Sequence, residues 1–400
     1  LKSIIVLSVN TPIGLTILRD LAEHGYRTIG IGANGCIGHA SKHCHQSEVR
    51  ASTRELLIEQ LVSLSKTYPQ SCLIAISESD IALLNESRAT LEPKLKLLIP
   101  QSRQMDIVLD KASTITYAKS VGIDCPKTWL IKELNELDDI AAELTFPLVL
   151  KWANPLQVQA KLQQQGLTLH KLLYALNYQQ LSELLEPYQS IGSFPLIQAY
   201  CHGVGLGQFF LCKDGQVHLE FQHIREHEWP PEGGTSTRCR SVELSQHQAC
   251  LEQSKALLKK INWQGVAMVE YRFCAKRQQY ILMEINGRFW GSLALSYYSG
   301  VGFASGLVKL LGDNKSVQQT NYRLVSAIYM IPEVKRLLRI SFQQQAINDP
   351  VFKSSASQSL WSLITSYCSF KCHYFVFNWQ DPRPFWQDMR NVLRKIAQAK

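Results

Sequence analysis

Three oxygen-bearing side chains stand close together in the stretch GVAMVEYRFCAKRQQYILMEINGRFWGS, residues 265–292: Glu270, Glu284 and Asn286. The apolar runs Val266–Tyr271 and Gln279–Ile285 flank a polar turn and read as a β-hairpin. Side chains at i and i+2 of a strand share a face, so Glu284 and Asn286 point one way and Glu270 can join them across the ladder. Hard oxygen donors on one face suit Mg²⁺, which tolerates waters and commonly bridges substrate phosphates. Arg288 follows on the same side, a fixed cation where phosphoryl transfer develops negative charge. The rival reading is a solvated surface hairpin. It fits poorly with the apolar neighbours of both glutamates, because a buried carboxylate without a partner is costly.

The pattern VEYR…EINGRFWGS resembles the metal-binding end of the ATP-grasp superfamily, and in particular carbamoyl-phosphate synthetase large chain-like carboxylate–amine ligases. The resemblance implies that Glu270, Glu284 and Asn286 hold Mg²⁺, with Mn²⁺ an acceptable replacement. It implies that Arg288 contacts the γ-phosphate or the acyl-phosphate oxygens. It covers residues 1–310, approximately, and its motifs follow in the family's order.

Other segments carry weaker parts of the same likeness. Asp110-Lys111, followed by Gly-Ile-Asp-Cys-Pro-Lys-Thr at 122–128, resembles the family segment whose lysine reaches nucleotide phosphates. Lys111 inherits that role by position. Lys151 ends the apolar run FPLVLKW, where a lysine could simply snorkel; the family position contacts the α- and β-phosphates. The hinge Gln198, Ala199, Tyr200 and Cys201 would take the adenine of ATP through backbone groups. The family usually has an acid where Ala199 stands. Many relatives cover the phosphates with a glycine-rich lid, whereas residues 153–170 hold Gly166 alone. His223-x-Arg225 and Pro231-Glu-Gly-Gly-Thr-Ser236 resemble the segment beside the transferring phosphate. With Arg238 and Arg240 this region reads as an anion holder, or as a flexible basic loop. His223 and His227 would suit a metal on a helix, but the run reads as strand.

These residues need a frame. Ser3–Val9, the amphipathic Leu15–His24 and Tyr26–Ile31 form a β-turn-α-β unit of the open, doubly wound kind. Its turn keeps only Gly14 of a dinucleotide fingerprint. Leu56–Tyr68 reads as a helix, Cys72–Ile76 as a third strand, and Lys96–Ile99 closes the unit. Ser77–Asp80, at a strand's carboxyl end, is read equally as a helix cap or a substrate contact. Gln104–Gly122 has helical spacing throughout. Further on come a helix over Lys132–Leu144, a strand over Phe146–Trp152, a helix over Leu172–Glu186 and a hairpin over Gln208–Cys212 and Gln216–Ile224. The expected fold class is α/β and α+β: a doubly wound parallel (pre-ATP-grasp) domain at 1–103, then a two-subdomain ATP-grasp fold. Its small subdomain is expected at 104–190 and its large, metal-bearing subdomain at 191–312. A mostly helical C-terminal appendage follows at 313–400.

Composition narrows the function classes. The 400 residues, 46% hydrophobic and 19% charged, suffice for two or three packed domains. No apolar run approaches the roughly 18 residues of a membrane span, and the N-terminal apolar run is too short for a signal peptide. Eleven cysteines without a framework suit a reducing cytoplasm. His43-Cys44-His45 and Cys368-x3-Cys372-His373 lack the paired spacing of a zinc site. The net charge is +9. Residues 333–400 hold ten Lys/Arg against four Asp/Glu, a local excess of +6. Such an excess suits anionic ligands or an anionic surface; no nucleic-acid-binding signature accompanies it. Membrane-surface contact through this region competes with a plain packing role for it. A homodimer is compatible with the resemblance.

Family membership implies an ATP-dependent ligase acting on a small-molecule carboxylate and an amine. Two other classes stand against it. One is a nucleotide-binding regulatory or scaffold protein without turnover, favoured by the glycine-poor lid and by Ala199. The other is a nicotinamide-dependent oxidoreductase, which rests on the first βαβ unit alone.

Overall fold

A computed structural model describes residues 2–170, 172–319, 321–344, 347, 352, 354–367, 369 and 371–398. Cys368 of the Cys368/Cys372/His373 group therefore lies outside the described residues. In the first sheet, β1 (Ser3–Leu7), β2 (Arg27–Gly32), β3 (Gln46–Val49), β4 (Cys72–Ala75) and β5 (Lys96–Leu97) pair in the order 3-2-1-4-5. All are parallel. The central strands are continuous apolar runs because both of their faces are covered. Pro12 opens the crossover helix Pro12–Glu23, where a missing N–H costs nothing.

The second sheet comprises β6 (Thr128–Trp129), β7 (Leu148–Lys151), β8 (Leu173–Ala175) and β9 (Leu196–Ala199), in the order 6-9-7-8. It has its own core, including Trp129, Leu148, Trp152, Leu181 and Ile197. Because β9 belongs to this sheet, the small lobe extends past residue 190. The helices between residues 102 and 119 lie with the other lobe, where Met105, Val108 and Ala118 join its core.

The third sheet runs β14-β13-β10-β11-β12-β15-β16. Its strands are β10 (Val204–Lys213), β11 (Gln216–Trp229), β12 (Thr235–Ser241), β13 (Gly265–Cys274), β14 (Gln279–Asn286), β15 (Ser326–Ile328) and β16 (Cys372–Tyr374). Its core is continuous with that of the first sheet: Ile5 and Leu7 share one cluster with Phe210 and Val269, and Ile4 and Val6 share another with Phe209 and Trp290. The first and third sheets thus form one body, and the small lobe faces it with a separate core. That separation leaves a cleft.

Several elements differ from the sequence reading. Gln104–Gly122 is not one helix but two, Ser102–Leu109 and Lys111–Lys119. Asp110 divides them: its backbone is extended, and its carboxylate accepts the Ser113 N–H at 2.6 Å as an N-cap. Leu172–Glu186 is not wholly helical. Leu173–Ala175 pairs with β7, and Asn177 caps a helix that starts only at Tyr178. The expected helix over Lys132–Leu144 shortens to Glu136–Ile140 and one tighter turn. The glycine-poor segment after β7 contains a helix, Pro155–Gln164. The C-terminal part, mostly helical as expected, also supplies β15 and β16 to the large sheet. It is tied to the first domain by Arg19, whose Nε lies 3.1 Å from Asp381 Oδ2 with both side chains 2% exposed.

Candidate functional site

Glu270 on β13 stands directly opposite Glu284 on β14, and Met268 stands opposite Asn286. Val269, Tyr271 and Ile285 turn to the other face and enter the core, so the period of two aims the polar residues together. A bulge lies beside the glutamates: Glu270 pairs with Glu284 but Tyr271 with Leu282, which leaves Met283 as the extra residue. Glu270, Met283, Glu284 and Asn286 line one cavity of about 250 Å³. An adjoining chamber of about 230 Å³ shares Lys111, Glu284, Asn286 and Arg288 with it, so the two are parts of one cleft.

Cations converge on this cleft. Lys111 sits in the first turn of its helix because Asp110 breaks the preceding one, and its Nζ donates to the Trp152 carbonyl at 2.7 Å. Lys151 is the last residue of β7 and lines the cavity from the small lobe. Burial pushes the Lys151 ammonium below its ordinary value, against the pull of Glu284 and Glu270. Burial lowers Lys111 as well, Glu284 opposing and Lys151 adding to the effect. Arg288 Nε donates to Glu78 Oε1 at 3.0 Å. Ser77, whose Oγ accepts the Asp80 N–H at 3.1 Å, caps the helix that carries Glu78. Ser77 is therefore a cap, and Glu78 is the residue of that segment that reaches the cleft.

Arg225, on β11, reaches across β10 to Glu270 on β13, with Nη2 to Oε2 at 2.6 Å. Gly205 makes this possible: a Cβ there would stand 2.8 Å from Arg225 Cδ. Glu228 joins the network, 3.8 Å from Arg225 and 3.5 Å from Arg272, and accepts the Gly234 N–H at 3.2 Å. Burial raises Glu270 above its ordinary value, Arg225 opposing and Glu284 and Glu228 adding. Burial alone would lower Arg225, but Glu270 and Glu228 carry it above its usual value. Gly233 has φ +131° in the adjoining loop, a conformation that favours glycine.

The anion-holding region is narrower than the sequence suggested. Arg225 lines the cavity, but Arg238 and Arg240 pair with Glu226, at 2.7 and 3.4 Å, and are not among its lining residues. His223 is fully buried beside Phe209, and His227 bonds to Glu333. The hinge residues divide between the cleft and its surroundings. Gln198 lines the second chamber and donates to Thr128 Oγ1 at 3.0 Å. Ala199 donates its N–H to the Lys127 carbonyl at 2.9 Å and accepts the Cys201 thiol at 3.5 Å. Its backbone is thus engaged within the protein. Tyr200 packs edge-on against His202 with ring centres 4.9 Å apart. Cys201 lies within electrostatic reach of Lys151. Ala199, Tyr200 and Cys201 are outside the lining of both chambers.

Glu78 falls within the Ser77–Asp80 segment read above as a cap or a substrate contact, whereas Glu228 and Arg272 were given no role. Arg272 could have been, since it stands two residues from Glu270 on the same strand. Glu228 carried no such signal, because what places it is an irregular strand.

The donor set can be tested for a divalent cation. Among the described residues no group of three or more His, Cys, Asp or Glu side chains is placed to hold a metal ion together. A cation here would rest on two opposed carboxylates and the Asn286 amide, whose Nδ2 donates to Glu284 Oε1 at 2.9 Å and so leaves its oxygen for a metal. Few protein ligands, with waters and phosphates completing the shell, is how Mg²⁺ is commonly held. Lys111, Lys151 and Arg288 around the same space match a polyphosphate. The residues fit the pair.

A small antiparallel lobe set against a large sheet over such a cleft, beside a parallel N-terminal domain, is the ATP-grasp arrangement, and the chain has the ATP-grasp fold. Residues 225–331 match a family model described as ATP-grasp in the biosynthetic pathway with Ter operon. No curated protein matches the chain in sequence. Among solved structures, the biotin carboxylase domain of Hydrogenobacter thermophilus 2-oxoglutarate carboxylase, complexed with MgADP, ADP and bicarbonate, gives a TM-score of 0.62 at 15% identity, covering 81% of this chain and 72% of that one. The L-amino acid ligase of Bacillus licheniformis gives 0.58 at 13% identity, covering 80% and 75%. An ADP complex of N5-carboxyaminoimidazole ribonucleotide synthetase gives 0.61 at 12% identity, covering 85% of each chain.

Proposed function

We propose that this protein is an ATP-dependent ligase that activates a small-molecule carboxylate as an acyl phosphate and joins it to an amine, releasing ADP and phosphate. The observation that carries the reading is the in-register pair Glu270/Glu284 facing a cleft that also holds Lys111, Lys151 and Arg288. Neighbours of the same fold bind ADP, MgADP and bicarbonate, or join amino acids, which supports nucleotide and carboxylate as the ligand classes. In this reading residues 1–103, 104–190, 191–312 and 313–400 act as the four functional segments, with β9 counted in the small lobe and the helices Ser102–Leu109 and Lys111–Lys119 in the body.

Glu270, Glu284 and Asn286 would hold Mg²⁺, or Mn²⁺ in its place, which when bound supplies charge neutralisation for the phosphates. Lys151 and Lys111 grip the phosphate chain from the small lobe and the body. Their burial strengthens each contact, since water is largely excluded. Arg288, anchored by Glu78, and Arg225, anchored by Glu270, stand at either side as fixed cations for the anionic oxygens of acid and acyl phosphate. A carboxylate oxygen attacks the γ-phosphorus and ADP leaves; the amine nitrogen then attacks the acyl carbon and phosphate leaves. Most of the catalysis asked of the protein is positioning and charge neutralisation. Gln198 is the hinge residue that contacts the nucleotide chamber. Ala199, Tyr200 and Cys201 follow Gln198 in the chain, and any contact they make with the adenine would have to form on nucleotide binding. The ten described cysteines are all free, in keeping with a cytoplasmic protein.

The deciding experiment is ADP release measured over pools of carboxylates and amines, with mass spectrometry of products. Release that requires both pools, together with an amide product, supports ligase action. A second reading, nucleotide binding without turnover, is favoured by the helix Pro155–Gln164 standing where relatives have a glycine-rich cover. Tight ATP binding with no substrate-dependent ADP would select it.

A further inference from the structure

The helices at the C-terminal end of the chain face the wrong way for a water-soluble surface. On Met330–Phe342, Glu333, Arg336 and Ile340 are buried, while Val334, Leu338 and Phe342 form an exposed stripe, Phe342 81% exposed. The inward residues are bonded there: Thr237 Oγ1 donates to Glu333 Oε2 at 2.6 Å. On Ala356–Tyr367 the serines Ser359 and Ser366 are buried, whereas Leu360, Trp361 and Ile364 are exposed. On Arg383–Gln398, Gln387 Nε2 and Asn391 Nδ2 both donate to the Gly35 carbonyl, at 2.9 and 3.2 Å. Its apolar stripe Trp386, Leu393 and Ile396 points outward, Trp386 60% and Leu393 61% exposed. The first of these helices packs on the second, and Lys335 acts electrostatically on Asp388 of the third, so the three are neighbours.

Exposed apolar area concentrated in this way marks an interaction surface. Its charge identifies the partner. Among the described residues from Met330 onward, every exposed charged residue is basic: Lys335, Lys371, Arg383, Arg390, Arg394 and Lys395. The acids are withdrawn, Glu333 and Asp381 into buried pairs and Asp388 into a half-buried position. Trp379, 86% exposed, and Trp386 lie within four residues of Arg383 along the chain. Tryptophan with lysine and arginine around an apolar stripe is the composition of helices that lie in a membrane interface. None of the described helices is long and apolar enough to cross a membrane.

We propose that this face docks the protein on an anionic lipid bilayer, the outward stripes entering the headgroup–acyl boundary and the basic residues meeting lipid phosphates. The helices lie in the plane of the surface and are held to the rest of the chain by their polar sides together with the inward Ile340 and Phe385. The proposal is independent of the ligase reading.

Vesicle flotation of the full chain tests it, using phosphatidylcholine alone and with about one-third phosphatidylglycerol. The protein should float with the anionic vesicles, less so with added salt. The double variant Trp386→Ser/Leu393→Ser should bind about tenfold more weakly or worse, with an unchanged melting curve. Should that variant misfold, quenching of wild-type tryptophan fluorescence by brominated phosphatidylglycerol decides alone. No flotation, no quenching, or equal binding by a folded variant overturns the proposal. So does light scattering that shows a dimer abolished by the same substitutions, since a second copy would then be what covers the face.

Discussion

Arg225 reaches Glu270 at 2.6 Å over the top of an intervening strand, through the space left by Gly205. Both side chains are about nine-tenths buried, 11% and 12% exposed, so neither charge has water to fall back on. Removing one partner of such a pair leaves the other uncompensated, typically at a cost of about 3–5 kcal/mol. Arg225→Ala should therefore lower the melting temperature clearly. Gly205→Val, which touches neither charge, should do so by displacing the guanidinium, at roughly 1–3 kcal/mol. Thermal melts of both variants check this, and a Gly205→Val protein as stable as wild type would remove Gly205 from the account.

The carboxylate opposite the pair has a different role. Glu284→Gln keeps the shape and the Asn286 contact but loses the charge, so the fold should survive while ATP turnover falls at least about a hundredfold, or roughly 2.7 kcal/mol of barrier. Circular dichroism and ADP release measure the two halves separately. Turnover near the wild-type rate would defeat the metal-site assignment.

Asp381 carries the C-terminal part of the chain onto the first domain. Besides Arg19 it accepts Ser41 Oγ at 2.6 Å and the Lys42 N–H at 3.0 Å. Asp381→Ala should cost about 3–5 kcal/mol, because it strands a buried guanidinium. Limited proteolysis should then release the C-terminal helices before the core is cut. Equal protease resistance in variant and wild type would count against the tie.

Acid should act through Asp80. Burial alone would raise its carboxyl, but hydrogen bonds from Arg50, Ser8 and Ser77 hold it below its ordinary 3.8. A carboxyl depressed on folding adds stability that is present above the unfolded value and disappears as pH falls through the folded one. Asp80→Asn should thus lower stability at neutral pH and flatten the acid limb of the stability–pH curve below about pH 4. Denaturant unfolding at a series of pH values shows whether the two curves converge in acid; parallel curves would contradict it.

Amino-acid order alone was enough to bring Glu270, Glu284 and Asn286 together, because a strand repeats every two residues and apolar neighbours fix which face is inward. It also placed Lys111, Lys151 and Arg288 near them, through a resemblance of motifs rather than through periodicity. The tertiary structure decided the remainder. The break at Asp110 is a cap competing with helical spacing, and Leu173–Ala175 is strand only because β7 offers an edge. Glu78, Glu228 and Arg225 acquire their roles from partners many residues away, Arg288, Arg272 and Glu270 respectively. The C-terminal helices make the difference plainest. Their amphipathic spacing is legible residue by residue, yet periodicity says only that a helix has two faces. Which face turns inward depends on what it meets, and here Gly35, His227 and Thr237 offer polar partners to the polar side. Local sequence sets the shape of a segment; long-range contacts set its direction.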